Sequence, residues 1–394
     1  MAEALYDPFD PQVLRDPFPA YRKLREQAPV SETPAGFWAV SRYDDVLQVL
    51  RSPAVFSSAA MSFEASRPEG SPEGGRMLIS ADPPLHTKLR NLVNRAFTSR
   101  RVAEMEPHVA ALVDGLLAPA LRKGSLEFVE GFASPLPTMV IAEMLGIDPE
   151  RRRDFKRWSD DIVALAGGAS ADRDLAEAQA SLPELNGYLE RVIAERRRAP
   201  RPDLLSALIQ ATEGGEGLTP DDVRAFGVLL LIAGNETTTN LLSNALLALL
   251  DRPELLERLR REPKLVPALV EETLRWDSPV QAVFRAATRD VELGGATIPE
   301  GCALLALLGS ANRDERRFPD PDRFDVGRDP AGHVAFGFGI HFCVGAPLAR
   351  LEARVALERL LPRLDRLHLE GEPERLSSFF LRGLTKLPLA FEPA

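Results

Sequence analysis

The sequence predicts a mainly α fold with a minor β portion, and three observations predict it. Most of the 394 residues fall in stretches whose apolar positions recur at helical spacing. One such stretch, Thr219 to Leu250, makes a rod of about 30 residues and roughly 45 Å, long enough to cross a whole domain. Alternating, β-branched character is confined to short pieces near 36–40, 291–308 and 379–391. Hydrophobic residues make up 45% of the chain, enough for a large buried core. No Gly/Ser-rich or charge-block linker divides it and no repeat recurs at a fixed period, so residues 1–394 read as one domain.

The elements follow in chain order. Helical pattern begins at Tyr21-Arg-Lys-Leu-Arg-Glu and resumes at Asp44–Arg51, with Gly36–Val40 between them as a short strand. Ser62–Gly75, rich in Ser, Pro, Glu and Gly, reads as a loop. Helices are expected at about 84–97, 102–121, 150–166, 172–198 and 203–213. The long helix opens on Thr219-Pro-Asp-Asp, which supplies an N-cap, a proline at the first helical position and two acids in the first turn. Asp251-Arg-Pro253 stops it. Its middle, Ala233-Gly-Asn-Glu-Thr-Thr-Thr-Asn240, is a polar break in an apolar rod. Strands are expected at Val291–Ile298 and Cys302–Leu308 around the turn Pro299-Glu-Gly301. The proline-rich stretch Phe318–Phe324 precedes a glycine-rich loop and a last amphipathic helix, Pro347–Leu361. Phe379–Leu381 and Leu387–Phe391 have strand character.

Charge and cysteine usage narrow the function. Lys and Arg number 48 against 58 Asp and Glu, a net charge of −10, which argues against nucleic acid or an anionic membrane as main partner. The triple arginines Arg151–Arg153 and Arg196–Arg198 read as solvated surface, the second suited to a helix C-terminus. Cys302 and Cys343 cannot form a disulfide framework and suit a reducing cytoplasm. The N-terminal residues lack the pattern of a signal peptide. Phe226–Ala233, the longest apolar run, is too short to span a bilayer. A soluble cytoplasmic protein is expected.

Chemistry concentrates in Phe336-Gly-Phe-Gly-Ile-His-Phe-Cys-Val-Gly345. A cysteine binds metal as thiolate, so its site must stabilise the anion. Cys343 precedes a helix start near Ala346-Pro347, which offers free N–H groups and positive potential. Gly339 and Gly345 let backbone donors approach the sulfur, and Phe336 and Phe342 can exclude water. The bland alternative is an inert cysteine buried in a turn. That reading suits Cys302, set among Ala and Leu, but not Cys343, where glycines, aromatics and a helix start meet. Glu272 and Arg275, three apart on a helix, can pair, a common feature with little weight alone. In the polar break, Gly234 and Asn235 weaken the helix, Thr237 and Thr238 can bond back to carbonyls, and Glu236 beside Thr237 could pass protons into a buried site. A solvated surface patch is the alternative, opposed by the apolar flanks Val228–Ile232 and Leu241–Leu250.

Together these residues resemble the cytochrome P450 family, in its soluble bacterial class. The loop matches the family's Phe-Gly-x-Gly-x-His-x-Cys-x-Gly signature, Glu272 and Arg275 its Glu-x-x-Arg motif, and Ala233, Gly234, Glu236 and Thr237 its oxygen-activating helix. Asp82-Pro-Pro-Leu-His-Thr-Lys-Leu-Arg90, Ala311-Asn-Arg-Asp314 and Leu348-Ala-Arg-Leu-Glu352 match as well. The resemblance implies a P450 fold with haem b buried between the long helix and the cysteine loop, and Cys343 as the iron ligand. It implies propionate partners at His86, Arg90, Arg285 and His341, further haem contacts from Phe336, Gly337, Gly345 and Ala233, and a structural pair in Glu272 and Arg275. Thr237 and Glu236 would serve oxygen activation and proton delivery, and Gly234 would leave room for dioxygen. Substrate lining is expected from the Ser62–Gly75 loop, Leu230, Ala233, Val280, Val283, Phe284 and Phe379–Leu381. The implied reaction is hydroxylation or epoxidation of an apolar small molecule with O2 and two electrons. Those electrons would come from a separate ferredoxin or flavodoxin with its NAD(P)H-dependent reductase, docking near Lys88, Arg90, Arg95 and Arg350. A monomer is the expected state. The competing functions are a peroxide-driven or non-oxygenating haem-thiolate enzyme, and a non-catalytic partner protein of the same fold. Substrate, regiochemistry, number of oxidations and native redox partner leave no pattern in the sequence.

Overall fold

The structure is a computed structural model that describes residues 5–59, 77–165, 175–210 and 218–393. The Ser62–Gly75 loop and parts of the expected helices 172–198 and 203–213 lie outside the described residues.

The core helix runs Pro220–Leu250, 31 residues. Thr219 Oγ1 accepts the Asp222 N–H while the Asp222 carboxylate accepts the Thr219 N–H, a reciprocal cap that satisfies two donors at the helix start. Apolar residues ring this helix rather than stripe it, as a helix packed on all sides requires. It packs on the helices Pro135–Met144, Leu175–Arg198, Val266–Trp276 and Ala346–Leu360. The expected polar break is carried by side chains only: the backbone stays α-helical throughout. Thr237 Oγ1 donates to the Ala233 carbonyl at 2.6 Å, which satisfies the hydroxyl without opening the helix.

The main sheet has five strands in the order 30–32, 38–40, 303–306, 283–287, 56–57. Trp38–Val40 pairs in parallel with Ala303–Ala306, Trp38 opposite Leu304. The other pairings in this sheet are antiparallel. A second sheet of three strands sets Pro388–Pro393 between Ser125–Glu127 and Leu364–Leu369.

Several expectations need correcting. The helix expected at 102–121 is two helices, Ser99–Glu104 and Glu106–Lys123: Pro107 has no N–H to continue the first and sits in the opening turn of the second. Val291–Ile298 is a hairpin in itself, turning at Gly294 and Gly295 with φ of 55° and 85°. Cys302 lies just outside the 303–306 strand. Phe379–Leu381 is not a strand: its one pairing is the isolated bridge of Leu381 with Val280. Among the described residues no helix is long and apolar enough to cross a membrane.

Candidate haem site

The cysteine loop is bent by two glycines. Gly337 and Gly339 hold φ of 71° and 70°, where a side chain is strained, and a Cβ on Gly339 would sit 2.6 Å from the Leu50 carbonyl. A single 3-10 turn, Gly339–His341, delivers Cys343 to the N-terminus of the Ala346–Leu360 helix. The Cys343 N–H donates to Phe336 O at 2.9 Å. Burial pushes the thiol pKa up, while the Gly345 N–H, Arg90, the Ala346 N–H and Arg350 all favour the thiolate. A Cβ on Gly345 would touch Cys343 Sγ at 3.8 Å. Phe336 and Phe342 meet edge to face, centroids 6.3 Å apart.

Beside the loop lies a group of arginine and histidine side chains. The His86 and His341 rings meet at a tilt of 59°, centroids 4.3 Å apart. Both ring nitrogens of His86 are buried without a partner. His341 Nε2 is 3.1 Å from Ser58 Oγ. Arg90 donates to Phe342 O at 2.6 Å and Arg285, buried on its strand, to Phe284 O at 2.6 Å. Asp82 is near enough to act on His86, His341 and Arg285, but its carboxylate accepts from Ser57 Oγ and the Ser58 N–H. Burial, then Arg285 and His86, hold His341 down at about 3. Burial also lowers Arg285 to about 10. Both histidines are pushed toward their neutral forms, so the positive charge here rests on Arg90 and Arg285, and with the Asp82 carboxylate taken up by Ser57 and Ser58 the cluster is short of an anion.

The core helix contributes the other wall. Ala233 is exposed although Leu230, Leu231 and Asn235 around it are buried, which marks a hollow against the helix. Burial pushes the Glu236 carboxyl up to about 7, with Asn240 opposing the rise and Asp160 and Lys156 acting from the neighbouring helix. At Gly234 a Cβ would lie 2.6 Å from Ile141 Cδ1, so the absent side chain makes room for the Pro135–Met144 helix. Asn235 Nδ2 donates to Ser159 Oγ at 2.6 Å. Asn240 is fully buried against Gly383, and Asn244 Nδ2 donates to the carbonyls of Asp277 (3.1 Å) and Arg382 (2.9 Å).

Arg275 and Glu272 form a buried two-pronged pair at 2.8 and 2.7 Å. Arg275 also donates to the carbonyls of Asn312, Pro321 and Arg323, and Glu272 accepts the Asp325 N–H. This pair therefore ties its helix to the proline-rich stretch.

The expected substrate residues divide. Val280, Val283, Phe284 and Phe379–Leu381 gather where 279–284 runs beside 379–382. Phe37 joins them, 6.1 Å from Phe284 and 6.4 Å from Phe379. It escaped sequence reasoning because Phe37-Trp-Ala-Val40 is apolar throughout and both of its faces are packed, so no alternation marks one side. Leu230 instead packs within the helical core. Among the expected docking cations, Arg95 is exposed. Arg350 does not offer a free charge, because Glu271 binds it through both carboxylate oxygens.

These residues fit haem. His86 and Arg285 want an anion that propionates would supply, and Cys343 has donors for a thiolate. Among the described residues no trio of His, Cys, Asp or Glu gathers to hold a bare ion, whereas one cysteine suffices for iron held in a porphyrin. Fold and site thus suit a haem-dependent oxidoreductase.

Comparison with known proteins agrees. The family model described as Cytochrome P450 matches residues 170–391. Cytochrome P450 monooxygenase PikC of Streptomyces venezuelae is 42% identical, covering 95% of this chain and 91% of its own. The crystal structure of CYP109Q5 from Chondromyces apiculatus superposes with a TM-score of 0.91 at 47% identity, over 99% of this chain and 98% of that one. CYP109E1 from Bacillus megaterium, solved in complex with corticosterone, gives 0.87 at 39% identity, over 97% and 100%. The chain belongs to the cytochrome P450 family. It is a monooxygenase that carries haem iron, hydroxylates small molecules and, like its bacterial relatives, draws electrons from separate redox partners.

Proposed function

We propose that the cofactor is haem b, that Cys343 is the protein's ligand to its iron, and that the substrate is an apolar small molecule held against Ala233 and the Phe37–Phe284–Phe379–Phe380 cluster. The observation that carries this reading is the pairing of a donor-surrounded thiol with a cationic cluster short of an anion. Haem supplies the redox centre, and a thiolate ligand favours O–O cleavage. His86, Arg90, Arg285 and His341 would hold its carboxylates, while Phe336, Gly337 and Gly345 shape the loop that carries Cys343.

On the opposite wall Thr237 Oγ1 holds a hydroxyl proton beside the hollow. Glu236, with a pKa of about 7, can take a proton from the Lys156–Asp160 side and pass it on near neutral pH. The aromatic cluster excludes water and orients an apolar ligand. A ferredoxin or flavodoxin, reduced by an NAD(P)H-dependent reductase, delivers the electrons. Residues 1–394 act as one catalytic domain, a monomer in the cytoplasm, in keeping with relatives that match nearly end to end. The corticosterone-bound relative makes steroids the first ligands to screen.

The test is the spectrum of dithionite-reduced protein under carbon monoxide, beside Cys343→Ala. A strongly red-shifted Soret band in the wild type alone is expected. An ordinary haem–CO band in the wild type overturns thiolate ligation, and a red-shifted band in the variant moves the ligand elsewhere.

A further inference from the structure

A second group of charged side chains lies under the cysteine loop. Glu271 sits one position before the Glu272 of the buried pair but faces a different neighbour. Its carboxylate accepts Arg350 Nε at 2.6 Å and Arg350 Nη2 at 2.9 Å. His333 Nε2 is 2.9 Å from the same carboxylate, and His333 Nδ1 accepts the Ala335 N–H at 3.2 Å. An imidazole that accepts at Nδ1 carries its proton at Nε2, so His333 donates to Glu271 and pins the start of the loop. Burial raises the Glu271 carboxyl, but His333 and Arg350 outweigh it and hold it at about 2. Clamped in this way, the Arg350 guanidinium lies 4.5 Å from the centroid of the Phe336 ring. Phe336 in turn accepts the Cys343 N–H, and Arg350 is one of the two side-chain cations that act on the sulfur.

We propose that Glu271 is a positioning residue for the metal centre, which with His333 fixes Arg350 over Phe336 and offsets its charge, so that the pair sets the reduction potential of the iron. The proposal rests on Cys343 being the iron's ligand. A bare guanidinium beside the sulfur favours the reduced, more negative centre, and a bare carboxylate there disfavours it. Removing one partner unmasks the other, so the two removals act in opposite directions. A merely structural role would not do this: loosening the loop from either side admits the same water.

The experiment is a spectroelectrochemical titration of substrate-free holoprotein for wild type, Glu271→Gln, Arg350→Gln and the double variant. Each is first checked for the red-shifted CO band. Glu271→Gln is expected to favour the ferrous state by about tenfold at fixed potential, close to 59 mV for one electron. Arg350→Gln is expected to shift the ratio the other way, and the double variant to return near wild type. Equal potentials in all four proteins, or both single variants moving in one direction, overturn the proposal while leaving thiolate ligation intact. Should Glu271→Gln not fold, the sign of the Arg350→Gln shift decides alone: a rise or no change overturns it. A wild type lacking the red-shifted band overturns the ligation itself.

Discussion

A buried carboxyl can titrate where proteins work, and Glu236 shows the cost of that. Its ordinary value is 4.5 and in the fold it is about 7. A raised carboxylate is neutral at no penalty below 4.5, destabilises increasingly between 4.5 and 7, and exerts its full cost above 7. Glu236→Gln removes the titration. Its stability is expected to match wild type near pH 4.5 and to exceed it at pH 8 by up to about 3 kcal/mol, seen as a higher thermal midpoint. Product formation in the same variant falls about a hundredfold. Differential scanning across pH checks the first expectation, and an equal gap at both ends of the range counts against the burial described. At this scale the sequence was legible where signals are local. Cys343 stands out because glycines, aromatics and a helix start adjoin it in the chain. Two residues resisted for the opposite reason. The packing role of Gly234 depends on Ile141, and the state of Arg350 depends on Glu271, each a distant contact no window of sequence contains.

Among elements, the core helix was the most legible, since its cap, its first-turn acids and its stop are all written locally. Proline decided several of the rest. Pro107 divided one expected helix, whereas Pro135 and Pro137 sit in the first turn of a helix that sequence reasoning passed over. The strands Ser125–Glu127 and Leu364–Leu369 escaped too, because their partner Pro388–Pro393 is remote and their composition is charged. The approach of the 379–383 turn to the core helix gives a sharp test. A Cβ on Gly383 would lie 1.8 Å from Asn240 Oδ1, whereas one on Gly115, within Glu106–Lys123, meets nothing within 4 Å. Gly383→Ala is expected to cost about 1–3 kcal/mol, and Gly115→Ala to stabilise by up to about 1 kcal/mol. Chemical denaturation of both variants checks this, and equal midpoints would mean that the turn yields freely.

For the whole molecule, a net charge of −10 leaves its local cations as the places where an electron-donating protein of acidic surface would land. With Arg350 compensated, the exposed Arg95 carries that expectation. Arg95→Glu should slow electron delivery several-fold at low salt, with the difference fading as ionic strength rises and the CO spectrum unchanged. Stopped-flow reduction by a ferredoxin reads it out, and a rate indifferent to the substitution at low salt moves docking elsewhere. Fold class was legible because helices announce themselves in local periodicity. Sheet order was not, because Trp38 finds Leu304 across most of the chain. That parallel pairing also bears on how the protein is made. While the ribosome works through the intervening helices, Trp38–Val40 has only the Val30–Glu32 hairpin partner beside it, and its other edge stands open. Such an edge invites association between nascent chains. Slower translation at reduced temperature, or added chaperone capacity during expression, should therefore raise the yield of native protein more than any change made to the finished surface.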